Sequence, residues 1–143
     1  MALKSSLVAL TVAVMLAPPA HADPVPPNTP ERPFVRTVFN DPSNIPDKSI
    51  EAVVVSYSPG AKSAPHRHAK SAFIMAYVIS GAIRSQVEGE PGRVYHAGET
   101  WREIPGAHHT VSENASATER AELLAVFLVD TGDGPLTTDD TTE

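Results

Sequence analysis

From residue 34 onward the chain is cut into short apolar or alternating runs by Gly, Pro, Asn and Asp at close intervals. That punctuation leaves little room for helices. The runs are residues 34–39 (FVRTVF), 50–57 (IEAVVVSY), 72–80 (AFIMAYVIS), 83–87 (IRSQV), 93–95, 100–104 (TWREI), 110–112 and 123–129 (LLAVFLV). Between them lie turn-forming stretches: 40–48 (NDPSNIPDK), Ser58-Pro59-Gly60, Gly81, 88–92 (EGEPG), Ala97-Gly98, Pro105-Gly106 and the loop 115–118. In 83–87, Ile83, Ser85 and Val87 alternate with Arg84 and Gln86, the period of a half-buried strand. The unbroken run 123–129 suits a buried closing strand, and a short helix over 118–124 is a rival reading for its start. About eight short strands with turns between them predict an all-β sandwich or barrel.

The chain has 143 residues, the length of one domain. Its start reads as an export signal: Lys4, the apolar core 7–16 (LVALTVAVML), and Ala20-His21-Ala22 as a cleavage site. That core is too short to span a bilayer, which takes about 20 apolar residues. The expected organisation is therefore a signal peptide over 1–22, a Pro-rich extended leader over 23–33 (DPVPPNTPERP), a β-barrel over 34–130 and a loose, polar, acidic tail over 131–143. The protein is expected to be secreted or periplasmic, with no membrane attachment after cleavage. Its net charge of −6 argues against nucleic acid or anionic lipid as a partner. There are no cysteines, so the exported domain must be held by its core alone, and any metal ligands are His, Asp or Glu. Asn114-Ala115-Ser116 fits a glycosylation sequon.

The chemistry concentrates in two stretches. In residues 60–81 (GAKSAPHRHAKSAFIMAYVISG), His66 and His68 stand two apart, so an extended backbone aims both imidazoles to one side and Arg67 to the other. Residues 98–114 (GETWREIPGAHHTVSEN) carry His108 and His109 after a Pro-Gly turn. An isolated H-x-H pair is as well explained by surface or satisfied core histidines. With a further histidine from a facing strand, His108 or His109, it makes a site for a divalent transition metal such as Fe, Mn, Zn, Ni or Cu.

Gly60-x5-His66-x-His68, the apolar strand and Gly81 resemble the first motif of the cupin superfamily, and residues 98–114 resemble its second. The resemblance covers residues 60 to about 130 and implies a jelly-roll β-barrel. It also implies a metal held by the two first-motif histidines, a glutamate and a second-motif histidine. Carried over, His66 and His68 match the H-x-H, and His109, three residues after Gly106, matches the last ligand. His108 then faces out or lines the rim. The chain departs from the pattern in three places. Residues 69–74 (AKSAFI) hold no carboxylate where the glutamate is expected, Ile104 stands where a proline is usual, and one extra residue precedes Asn114.

Glu103 is the candidate acid–base residue, with a solvated strand-end charge as the plainer alternative. Gln86 could line the barrel. Tyr77 is expected in the core rather than lining the barrel, Trp101 as a packing or rim residue, His96 at the surface, and Arg84 and Arg102 exposed, with the holding of an anionic substrate as their alternative role. Together these features predict an exported cupin that binds a metal through His66, His68 and His109 and acts on a small organic molecule. By fold analogy the reaction is that of an oxygenase or another oxidoreductase. A metal-assisted isomerase or lyase and a non-catalytic small-ligand or metal-binding module are the alternatives, and a homodimer is expected.

Overall fold

The protein is described by a computed structural model covering residues 31–140. The expected export signal and most of the expected Pro-rich leader lie outside the described residues. Every regular element among those described is a strand: β1 (Phe34–Pro42), β2 (Lys48–Tyr57), β3 (His66–His68), β4 (Phe73–Ser80), β5 (Ala82–Val87), β6 (Arg93–His96), β7 (Thr100–Glu103), β8 (His108–Asn114), β9 (Ala121–Asp130) and β10 (Thr137–Asp139). They form two five-stranded antiparallel sheets, ordered β1-β2-β9-β4-β7 and β10-β3-β8-β5-β6. This is the all-β jelly-roll barrel, with the core between the sheets.

Strand periodicity decides which side chains enter the core. Along β9, Leu123, Ala125, Phe127 and Val129 are buried while Leu124, Val126 and Leu128 are only half-buried on the outer face. β9 is thus the central strand of its sheet, paired along its length with β2 and β4, and it is apolar on both faces. The rival helix over 118–124 does not form. β4 behaves the same way. Ile74, Ala76 and Val78 point inward, while Phe73, Met75, Tyr77 and Ile79 are 38–42 % exposed on the outer face. Tyr77 is therefore outside rather than in the core, because it falls on the wrong parity of the strand.

Two features seat the site. Gly81 ends β4 with φ +70°, and a Cβ there would lie 2.5 Å from the backbone oxygen of Arg120, so only glycine fits. The second is an unexpected strand. The tail expected to be loose contributes β10, which pairs with β3 through Thr137↔His68 and Asp139↔His66. β3 is only three residues long, yet β10 on one side and β8 on the other hold it in register.

Candidate metal centre

The register brings the histidines together. His66 and His68 face inward from β3 and Arg67 faces out, as the H-x-H spacing requires. His109 on β8 lies directly opposite His66 in the ladder. One ligand nitrogen from each of the three can be chosen so that all lie within 4.8 Å of one another, and all three residues are buried. The ring centroids are 4.9 Å (His66–His68), 5.1 Å (His66–His109) and 5.9 Å (His68–His109) apart. This buried group could hold a metal ion.

Each ring is oriented from behind. His66 Nδ1 donates to the Ala64 carbonyl at 2.8 Å, which leaves Nε2 as a bare lone pair. His68 Nδ1 faces the Leu136 carbonyl at 3.4 Å, so the tail segment helps set this ring too. His109 Nε2 shares a 2.9 Å hydrogen bond with Ser85 Oγ, which turns Nδ1 towards Glu103. Such supporting bonds fix the tautomer and aim of a metal-binding imidazole.

A carboxylate from another strand stands beside these histidines. Glu103 on β7 is the cross-strand partner of Ile74 on β4. Its side chain is 3 % exposed, with Oε2 at 2.9 Å from His68 Nε2 and Oε1 at 3.4 Å from His109 Nδ1. The Trp101 indole N–H donates to Glu103 Oε1 at 3.0 Å. Glu103 is therefore not a solvated strand-end charge.

The pair His68 Nε2 and Glu103 Oε2 is the most telling contact. Both atoms are buried, and neither makes an aligned hydrogen bond with any described residue. They lie 2.9 Å apart, and the His68 tautomer decides whether Nε2 carries a proton. Two lone pairs at that distance need a positive centre to share, either a proton or a metal cation.

The electrostatics suit a cation. Burial pushes the His109 imidazole down to about 4, with Glu103 opposing and the two other histidines adding to the fall. Burial also lowers His66, against the pull of the Ala64 carbonyl. For Glu103 burial acts upward. The contact with His68, the nearby charge of His109 and His68 and the Trp101 N–H outweigh it, so the carboxyl is held below its ordinary value. At neutral pH His66 and His109 are thus neutral beside an ionised Glu103, the protonation states that metal binding requires.

The centre opens into a cavity of about 230 Å³. Its walls are mainly apolar, with Val53, Val55, Ile74, Leu123, Phe127 and Leu136. Arg32 and Asp139 form an exposed 2.9 Å ion pair among the lining residues. Trp101 also lines the cavity and stacks on Tyr95 at 4.6 Å.

The remaining expectations sort as follows. His108 points away from the centre and pairs with Asp140 at 2.8 Å and Glu88 at 3.4 Å. His96, Arg84 and Arg102 are exposed, and Arg84 pairs with Glu113. Gln86 bonds the Glu90 carbonyl in the hairpin turn and is not among the cavity residues. Asn114 is buried, its amide held by the Ser58 and Glu119 carbonyls, so the sequon is closed in the folded protein. Tyr57, Ser112 and Ser85 escaped the sequence reading. The i, i+2, i+4 spacing of Val53, Val55 and Tyr57 was the signal for the first.

No helix among the described residues is long and apolar enough to cross a membrane. No curated protein matches the chain. Among solved structures it is similar to oxalate oxidase in complex with the substrate analogue glycolate, at 24 % identity over 59 % of this chain and 44 % of that one (TM-score 0.52). It is also similar to the DMSP lyase DddQ from Ruegeria pomeroyi, at 18 % identity over 76 % of this chain and 51 % of that one (TM-score 0.61). A third neighbour is a conserved protein with a double-stranded β-helix domain from Klebsiella pneumoniae, at 19 % identity over 76 % and 86 % of the two chains (TM-score 0.60). This chain thus spans under half of the oxalate oxidase and about half of the DMSP lyase. At these identities the likeness is one of fold. A family model described as Cupin domain matches residues 53–127, more than half of the chain. That match contains His66, His68, Glu103 and His109, and with it the chain belongs to the cupin family.

Proposed function

We propose that the protein is an exported, metal-dependent cupin that transforms a small organic molecule in its barrel, most simply as an oxygenase or another oxidoreductase. The observation that carries the metal reading is the buried pair His68 Nε2 and Glu103 Oε2, 2.9 Å apart without an aligned hydrogen bond, beside His66 and His109. His66, His68, His109 and Glu103 would hold the ion. Glu103 thereby has a ligand's role rather than that of a free acid–base group. A bound Fe, Mn, Cu, Ni or Zn ion supplies Lewis acidity and, where the metal is redox-active, electron transfer.

The chain's own residues narrow the chemistry. The apolar walls exclude water and admit a small, largely hydrocarbon body. Apart from the four centre residues, the titratable groups lining the cavity are Tyr57, Arg32 and Asp139. Burial raises Tyr57, so its phenol stays neutral, and Arg32 and Asp139 neutralise each other near solvent. Among the described residues, apart from Glu103, no ionised general base lines the inner cavity, which disfavours proton abstraction. The neutral Tyr57 hydroxyl could serve as a proton donor, which sustains an isomerase or lyase as the second reading. A purely binding module is supported by the lack of a carboxylate in residues 69–74, and Glu103 beside the histidines weighs against it.

The test is turnover by metal-loaded protein on a panel of small diketones, phenols and organic acids, followed by NMR with an oxygen electrode. Metal-dependent substrate loss matched by oxygen uptake is expected. Equal loss under nitrogen would transfer the assignment to the isomerase or lyase reading, and binding without turnover to the module. Export is tested by the N-terminal residue of the protein recovered outside the cytoplasm, expected to be Asp23. A homodimer through the outer face of the β4 sheet is part of the proposal, supported by the exposed apolar row Phe73, Met75, Tyr77 and Ile79.

A further inference from the structure

Three hydroxyl groups meet in the cavity wall, from three separate parts of the chain. Tyr57 ends β2, Ser63 lies in the loop before β3, and Ser112 sits on β8. The Tyr57 hydroxyl is 2.8 Å from Ser112 Oγ and 3.1 Å from Ser63 Oγ. All three residues line the cavity that holds the histidines.

A donor count shows what this cluster lacks. Each hydroxyl has one proton to donate and lone pairs to accept with. Two hydrogen bonds join the three groups and use two protons. Among the described residues none of the three oxygens makes any other hydrogen bond. One O–H donor is therefore left over at the cavity wall, where Tyr57 is 2 % and Ser112 6 % exposed and Ser63 is half-buried. The space that the three groups share is the cavity, and much of the rest of its wall is aliphatic or aromatic.

We propose that the Ser63–Tyr57–Ser112 cluster is a second anchor for the substrate, donating a hydrogen bond to an acceptor oxygen. This rests on the reading of the cavity as the substrate site and names the class of molecule it takes. The substrate is small and mainly hydrocarbon, with two oxygen functions. One reaches the His66, His68, His109 and Glu103 centre, and the other is a carbonyl or similar acceptor at the hydroxyls. The spare proton selects for an acceptor there, because a methylene at the same point leaves the donor unmade. Tyr57 and Ser112 thus act as specificity-determining residues rather than core packing alone.

Matched acids test this. Levulinate and pentanoate have the same chain length and differ by one ketone oxygen. The pair 5-oxohexanoate and hexanoate repeats the comparison one carbon longer. Calorimetry on the zinc-loaded protein should show at least one keto acid binding about tenfold tighter than its plain partner, the worth of one good hydrogen bond. In Tyr57→Phe/Ser63→Ala/Ser112→Ala, which removes all three hydroxyls together and orphans none, the advantage should fall below threefold. Zinc stoichiometry and the thermal midpoint of that variant report whether the centre and the fold are intact. Equal affinities in both pairs, or no measurable binding of any of the four acids, would overturn the proposal from the wild type alone. So would a keto preference that survives the triple substitution. If the wild type takes up no zinc, the metal reading fails, while the keto-to-plain ratio of the metal-free protein still reads the hydroxyl cluster.

Discussion

Acid should unfold the metal-free protein through His109, and by an amount that can be worked out. The imidazole is nearly sealed from water, and burial takes it from its ordinary value of 6.5 to about 4. In the unfolded chain it protonates as usual. Between pH 6.5 and 4 the unfolded state therefore binds more protons than the folded one, and stability falls as the pH is lowered. The whole effect, complete below pH 4, is about 3 kcal/mol. Between pH 7.5 and 5.0 about 2 kcal/mol of it is lost. His66 acts in the same sense, because burial lowers it as well. Glu103, also lowered, adds its loss only further down, as the pH falls through its folded value. The comparison that isolates His109 is with His109→Gln, which keeps an amide near Ser85 Oγ and does not titrate. In urea melts of chelator-treated protein, the wild-type midpoint should drop by about 1 M more than that of the variant over this pH range, for a slope near 1.5 kcal/mol/M. Parallel losses in the two proteins would refute the account of a buried, neutral His109.

Three further outcomes follow from particular contacts. Gly81→Ala should lower the free energy of unfolding by at least about 2 kcal/mol, because a left-handed backbone and a 2.5 Å clash with the Arg120 oxygen act together; an unchanged denaturation midpoint would show that the β4–β5 turn can relax. Glu103→Gln keeps an acceptor for the Trp101 N–H but removes the charge, and zinc affinity by competitive chelation should fall about 100-fold or more, some 2.7 kcal/mol; a change under threefold would remove Glu103 from the ligand set. Met75→Glu on the exposed apolar row should convert a dimer into a monomer in sedimentation equilibrium, and a wild type that sediments as a monomer would withdraw the dimer.

Strands could be read from the sequence, and their inward faces too where the other face is polar. Where both faces are apolar the strand was legible but its facing was not. β4 and β9 are apolar on both sides, so composition could not say that Tyr77 points out and Phe127 in. β10 was missed for the opposite reason: Thr137–Asp139 has no apolar face, and backbone pairing with β3 makes it a strand. The three histidines were legible because two share a strand at period 2 and the third sits at a motif spacing. Glu103 was legible only as a candidate. Its place beside His68 is set by the β4–β7 register, which puts it opposite Ile74, and no local pattern encodes that pairing. Tyr57, Ser63 and Ser112 meet from three distant stretches, and a hydroxyl cluster of that kind has no signature along the chain.

Metal stoichiometry in ligand variants tests the central claim most directly. After reconstitution with zinc and exhaustive dialysis, the wild type should retain about one ion per chain. His66→Ala and His109→Ala should retain less than a tenth of that, and His96→Ala, altered at an exposed site away from the centre, should match the wild type. A wild type that emerges without metal, or a His66→Ala variant that retains as much as His96→Ala does, would contradict it.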